Sequence, residues 1–159
     1  MILQRVCSGG QTGVDRAALD VAAAAGIEIG GWCPAGRRSE SGPLPSKYPL
    51  TETPSRAYRQ RTQWNIRDSD ATLVLVLGPL TGGTRLTCVL AKQYARPLMI
   101  RNMRSEMDAC PVADWIETGQ IGCLNVAGPR ASGAAGIYAL AREFLSALFN
   151  ELQSRHCAC

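Results

Sequence analysis

Histidine is nearly missing from this 159-residue chain: His156, four positions from the end, is the one example. That excludes a Ser-His-Asp arrangement and leaves no imidazole in the body of the chain for acid or base work. Aromatic residues make up only 6%, and no basic stripe is interleaved with them, so neither a nucleic-acid surface nor an aromatic-rich protein hot spot is expected. Long apolar runs are absent as well. The N-terminal one is broken by Gln4 and Arg5, so no spanning helix or signal peptide can be placed, and a soluble cytoplasmic protein without a membrane partner is expected. No C-x-x-C spacing occurs among the seven cysteines, which argues for reduced core thiols over a disulfide framework or a zinc site. The tail His156-Cys157-Ala158-Cys159 could catch a soft metal but reads as incidental.

What is present is arginine and glycine. Of 17 basic residues all but Lys47 and Lys92 are arginine, and the net charge is +4. Arginine's planar fork suits paired hydrogen bonds to oxyanions, although a codon bias would produce the same excess. Arg37, Arg38, Lys47, Arg61 and Arg130 are the cations expected near an anionic ligand.

Hydrophobic content is 46%, enough for one ordinary domain that buries roughly 68–70% of its unfolded surface. Residues 2–7, 27–29, 71–77, 97–100 and 123–127 read as strands. Helix-forming stretches follow at 14–25, 58–67, 84–94, 112–117 and 134–152. The run Ala71-Thr72-Leu73-Val74-Leu75-Val76-Leu77 has the continuous apolarity of a strand buried on both faces. The expectation is an α/β, Rossmann-like parallel sheet of about five or more strands, with right-handed crossovers and helices on both faces. One ligand-binding domain over 1–152 and a tail over 153–159 complete it. The stretch from Trp32 to Ser55 breaks the rhythm with five prolines and reads as a functional loop.

In an open parallel sheet, ligands lie beyond the carboxyl ends of the strands. Three turns there are rich in glycine and small polar residues: Ser8-Gly9-Gly10-Gln11-Thr12-Gly13, Thr81-Gly82-Gly83-Thr84, and Gly128-Pro129-Arg130-Ala131-Ser132-Gly133. Each enters a helix, whose first N–H groups and dipole favour an anion. The first turn lacks the Lys-Ser or Lys-Thr of a P-loop and the spacing of a dinucleotide fingerprint. Asp15 suits either the helix dipole or the N–H edge of a ligand. Asp68 and Asp70 suit capping and turning, or Mg²⁺. Cys33 is either a nucleophile or a quiet thiol, and Trp32 and Trp64 either stack on a flat ring or pack in the core.

The blocks S-G-G-Q-T-G-V-D-R-A-A-L-D (8–20), G-G-W-C-P-A-G-R (30–37), Y-P-L-T-E-T (48–53), R-T-Q-W-N-I-R-D-S-D-A-T-L (61–73), T-G-G-T (81–84) and L-N-V-A-G-P-R (124–130) together resemble the molybdenum cofactor carrier proteins. The resemblance implies a Rossmann-like homo-oligomer, tetramer or dimer, that is not an enzyme. It would hold molybdenum cofactor (molybdopterin) as cargo for a molybdoenzyme such as nitrate reductase. The implied cofactor-binding set is Ser8, Gly9, Gly10, Gln11, Thr12, Gly13, Asp15, Trp32, Arg61, Asn65, Thr81, Gly82, Gly83, Thr84, Gly128 and Arg130, with the proline-rich loop closing over the pterin. The Lonely-guy phosphoribohydrolases of the wider superfamily carry P-G-G-x-G-T-x-x-E, whereas this chain has Leu80-Thr81-Gly82-Gly83-Thr84-Arg85-Leu86-Thr87, without the proline and the glutamate. That departure counts against hydrolysis and leaves a phosphate cradle; the alternative reading is a nucleotide-derived-ligand binding protein or a nucleoside monophosphate phosphoribohydrolase-like enzyme using Asp15, Asp68 or Asp70.

Overall fold

The computed structural model describes residues 1–157. Its main sheet has five parallel strands: β1 (Arg5–Cys7), β2 (Glu28–Gly30), β7 (Ala71–Val76), β8 (Leu98–Asn102) and β9 (Cys123–Ala127), in the order β2-β1-β9-β7-β8. The longest strand, β7, is buried at every position, as its uninterrupted apolarity requires.

Five helices cover both faces. α1 (Val14–Ala24), α4 (Cys110–Thr118) and α5 (Ile137–Cys157) share the larger core with the sheet, centred on Phe144, Phe149, Leu148, Ile116 and Leu124. α2 (Tyr58–Arg67) and α3 (Gly82–Gln93) cover the other face through Ile66, Leu90, Val74 and Val76. α1 stops where the sequence places a left-handed glycine, Gly26 at φ 71°. The closing helix starts at Ile137, later than its apolar spacing suggests, because Ala131–Gly133 winds as a 3₁₀ turn and Gly136 adopts φ 79°. It then continues through Cys157, so His156 and Cys157 stand on its last turn.

Reading the strands from β9 instead of β1 makes the strand sequence β9, β1, β2, β7, β8, and the sheet becomes 3-2-1-4-5. That is the Rossmann order, with the chain opened at a different place. The reversal of winding falls between β9 and β7, which is where such a sheet forms its crevice.

The proline-rich stretch is ordered. β3 (Trp32–Cys33) pairs with β6 (Thr51–Glu52), and β4 (Arg38–Ser39) pairs with β5 (Gly42–Pro43). Leu44, Tyr48 and Leu50 pack with Cys33 against Leu19 of α1. The Arg37 guanidinium bonds the carbonyls of Leu44, Pro45, Tyr48 and Leu50 from inside. These few apolar side chains, with an arginine taking up the turn carbonyls, hold the segment on α1.

Candidate functional site

The three glycine turns leave β1, β9 and β7, which are consecutive in the sheet, so topology gathers them on one edge. Between them lies a cleft of about 670 Å³, within the range of small-molecule sites. Its walls include residues 77–79, 81–84, 86 and 87 after β7, 127–130 and 133–135 after β9, Gly9, Gln11 and Asp15 after β1, and one face of α2.

That face consists of Tyr58, Arg61, Thr62 and Asn65, spaced i, i+3, i+4 and i+7. Arg61 donates from Nη1 to Asp15 Oδ2 at 2.7 Å, a pair with side chains 14% and 4% exposed. The same oxygen accepts the Gln11 N–H at 3.1 Å. Arg61 also explains Gly9: a Cβ there would stand 1.3 Å from Nη1, so glycine lets the guanidinium lie on the turn. Arg61 Nε is buried without a hydrogen-bond partner. Asp15 is thus engaged from two sides, and neither partner is a proton acceptor.

The turn at 81–84 differs from the other two. Thr81 makes no side-chain cap to α3, leaving the first N–H groups of that helix to face the cleft. A Cβ at Gly82 or Gly83 would meet nothing within 4 Å, whereas one at Gly13 or Gly128 would strike backbone carbonyls at 2.3 and 2.4 Å. Gly13 and Gly128 therefore serve close packing against neighbouring backbone. The glycines of the second turn border open space.

Other sequence-derived residues occupy supporting positions. Ser8 is buried and ties β1 to β9 through the Val126 carbonyl at 2.8 Å. Gly10 abuts Leu44 and Leu50. Gln11 Oε1 accepts the N–H groups of Thr12 and Glu40, and the Thr12 hydroxyl accepts the Ala131 N–H at 3.1 Å. Asn65 lines the cleft, yet its amide pairs with both the N–H and C=O of Trp32, at 2.8 and 2.9 Å. Thr84 is buried at the cleft wall, and Arg130 stands at the rim, 3.6 Å from Glu40.

Several expectations are corrected. Trp32 does not reach the cleft: its ring packs edge-on against Trp64, centroids 4.6 Å apart, and donates to Asp68 Oδ2. The 32–55 segment lines no part of the cleft, because its apolar residues are committed to α1. Arg37 is spent on carbonyls, Arg38 stacks over Tyr58, and Lys47 pairs with Asp20. Asp70 accepts the N–H groups of Gly122 and Cys123 at the start of β9, the far edge of the sheet. Cys33 is buried, and burial pushes its thiol pKa up, as for a quiet core cysteine. Cys110 and Cys157 are exposed and so stand outside the core.

The sequence reading passed over five contributors. Arg104 lies just past the end of β8 and lines the cleft, a place the strand-end rule points to. Asn125 is a buried amide inside an apolar strand, hydrogen-bonded to Thr72 Oγ1, and its polarity within that run was its signal. Tyr58 and Thr62 follow from helical spacing around Arg61. Glu40 links the β4–β5 hairpin to two of the turns, bonding Ser132 and the Thr12 hydroxyl; nothing local marks it.

The Circularly permutated YpsA SLOG family matches residues 6–149. The chain belongs to that family. Membership agrees with the strand order, a Rossmann sheet opened ahead of β1. The crystal structure of a candidate molybdenum carrier protein from Syntrophus aciditrophicus SB is 40% identical, with a TM-score of 0.90 over 92% of this chain and 95% of that one. No curated protein matches. A member of this family thus carries here a cleft with three arginines, one engaged carboxylate and a free helix N-terminus, an arrangement suited to holding an anionic ligand. Among the described residues no helix is long and apolar enough to cross a membrane, and no cluster of three metal-ligating side chains occurs.

Proposed function

We propose that the chain binds molybdenum cofactor as cargo and carries it to a molybdoenzyme such as nitrate reductase. The observation that supports this most is the cleft at the winding reversal, where Arg61, Arg104 and Arg130 surround the open glycines of the 81–84 turn. The cofactor offers a phosphate, an oxo-molybdenum dithiolene and a flat pterin. In this reading the N–H groups of Gly82, Gly83 and Thr84 receive the phosphate, with the three arginines supplying charge. Asn125, Thr62 and Tyr58 face the ring. Ser8, Gly10, Thr12, Gly13 and Gly128 shape the walls without touching cargo. The resemblance to a protein named for molybdenum carriage is consistent with this assignment.

Holding cargo calls for no acid or base, and Asp15 lies in an ion pair. Hydrolysis of a nucleoside monophosphate would need a carboxylate over the 81–84 turn, where Arg85, Leu86 and Thr87 follow the glycines. A homo-oligomer in the cytoplasm completes the proposal.

Anaerobic incubation with cofactor released from a molybdoenzyme, followed by desalting, metal analysis and pterin fluorescence, is expected to give stoichiometric retention and restoration of apo-nitrate reductase. Loss of both metal and pterin on desalting, with no restored activity, overturns the proposal. Release of free base from nucleoside monophosphates would support the hydrolase instead.

A further inference from the structure

Cys7 and Cys123 lie on neighbouring parallel strands, β1 and β9, where Arg5 pairs with Cys123 and Cys7 with Asn125. This register puts both thiols on the α2-side face, and their sulfurs stand 3.4 Å apart. Cys7 is buried and Cys123 half-buried. Ser69 Oγ, which donates to the Asn65 carbonyl, stands 3.8 Å from Cys123 Sγ.

The two sulfurs are not equivalent. A hydrogen bond from the Cys7 thiol brings Cys123 down to about 7, with Arg5 acting in the same direction against burial and Asp70. That same bond, together with burial, drives Cys7 up. The comparison with Cys110 is instructive: it is exposed, but Asp108 raises its thiol. Nucleophilic thiolate thus concentrates on a half-buried sulfur rather than on this exposed one.

We propose that Cys7 and Cys123 are a peroxide-reactive dithiol that converts to an intrachain disulfide across β1 and β9. The Cys123 thiolate attacks one oxygen of a hydroperoxide, breaking the O–O bond. Cys123 becomes a sulfenic acid, and the other oxygen leaves as hydroxide or alkoxide, taking up a proton. The Cys7 sulfur then attacks the Cys123 sulfur and loses its proton, and the sulfenic oxygen leaves as water. With hydrogen peroxide, two thiols and one peroxide become one disulfide and two waters. Bond formation brings the sulfurs from 3.4 Å to the ~2.0 Å of a disulfide. It covalently links the strands that carry two of the three cleft turns.

The test treats the reduced full-length chain with stoichiometric hydrogen peroxide, blocks remaining thiols with N-ethylmaleimide, and maps the peptides by mass spectrometry. A linked peptide joining Cys7 and Cys123, two hydrogens lighter than the reduced pair, is expected before Cys110 is modified. In Cys7→Ser the disulfide is lost, and dimedone labels Cys123 as the trapped sulfenic acid. Recovery of both residues as maleimide adducts from wild-type protein while Cys110 or Cys157 is oxidised overturns the proposal, whether or not the variant folds. The outcome does not depend on the cargo of the cleft.

Discussion

Gly83 and Arg61 both line the cleft, yet their environments predict opposite consequences of substitution. At Gly83 a side chain would enter open space. Gly83→Leu is therefore expected to leave the melting temperature nearly unchanged and weaken cofactor retention at least tenfold, about 1.4 kcal/mol. Equilibrium binding beside a thermal melt separates the two effects. Arg61 is committed to a pair in which Asp15 is 3% exposed. Arg61→Met strands that carboxylate and should cost about 3–5 kcal/mol in urea unfolding, with much of the loss returned by adding Asp15→Leu. A single variant as stable as wild type would show that the pair is solvated. Residues of both kinds are small or charged and sit in the same motifs, so their letters alone do not separate a cargo contact from a packing partner.

At the scale of elements, the hairpin β4–β5 meets the first and third turns through Glu40. The Ser132 and Thr12 hydroxyls, then the Ser132 N–H and Arg130, hold the Glu40 carboxyl below its ordinary range. A carboxylate whose folded pKa is depressed stabilises the fold above its unfolded pKa and loses that contribution as pH falls through the folded value. The junction is thus expected to be closed at neutral pH and to loosen only below the usual glutamate range. Glu40→Gln should reproduce the loosening at pH 7. Hydrogen exchange over residues 38–43 and 129–133 is the readout, and unchanged protection in the variant would count against the link. The elements themselves were largely legible: 58–67 reads as a helix from its spacing and is one, and 71–77 reads as the buried strand that β7 forms to Val76. The two short strand pairs within 32–55 were not, because two-residue strands offer no periodicity and their stability comes from Arg37 and the Leu19 contact.

For the whole molecule, the strand order implies that the present opening is one of several the fold tolerates. Joining the present ends with a glycine-serine linker and opening the chain between Gly119 and Gln120, in the exposed turn before β9, converts the order to the uninterrupted Rossmann sequence. Such a chain is expected to melt cooperatively and retain cofactor. A non-cooperative melt would mean that the α4-to-β9 connection is required for folding. Local sequence marks the five strands of the main sheet, its helices and the glycine turns after three of the strands, because period, β-branching and glycine act over a few residues. The insertion of β9 between β1 and β7, the entry of Arg104 and Asn125 into the cleft while Trp32 stays outside it, and the contact of two cysteines 116 positions apart arise from long-range packing. Strand order and side-chain partners depend on burial of the whole sheet at once, and no local stretch of residues carries that information.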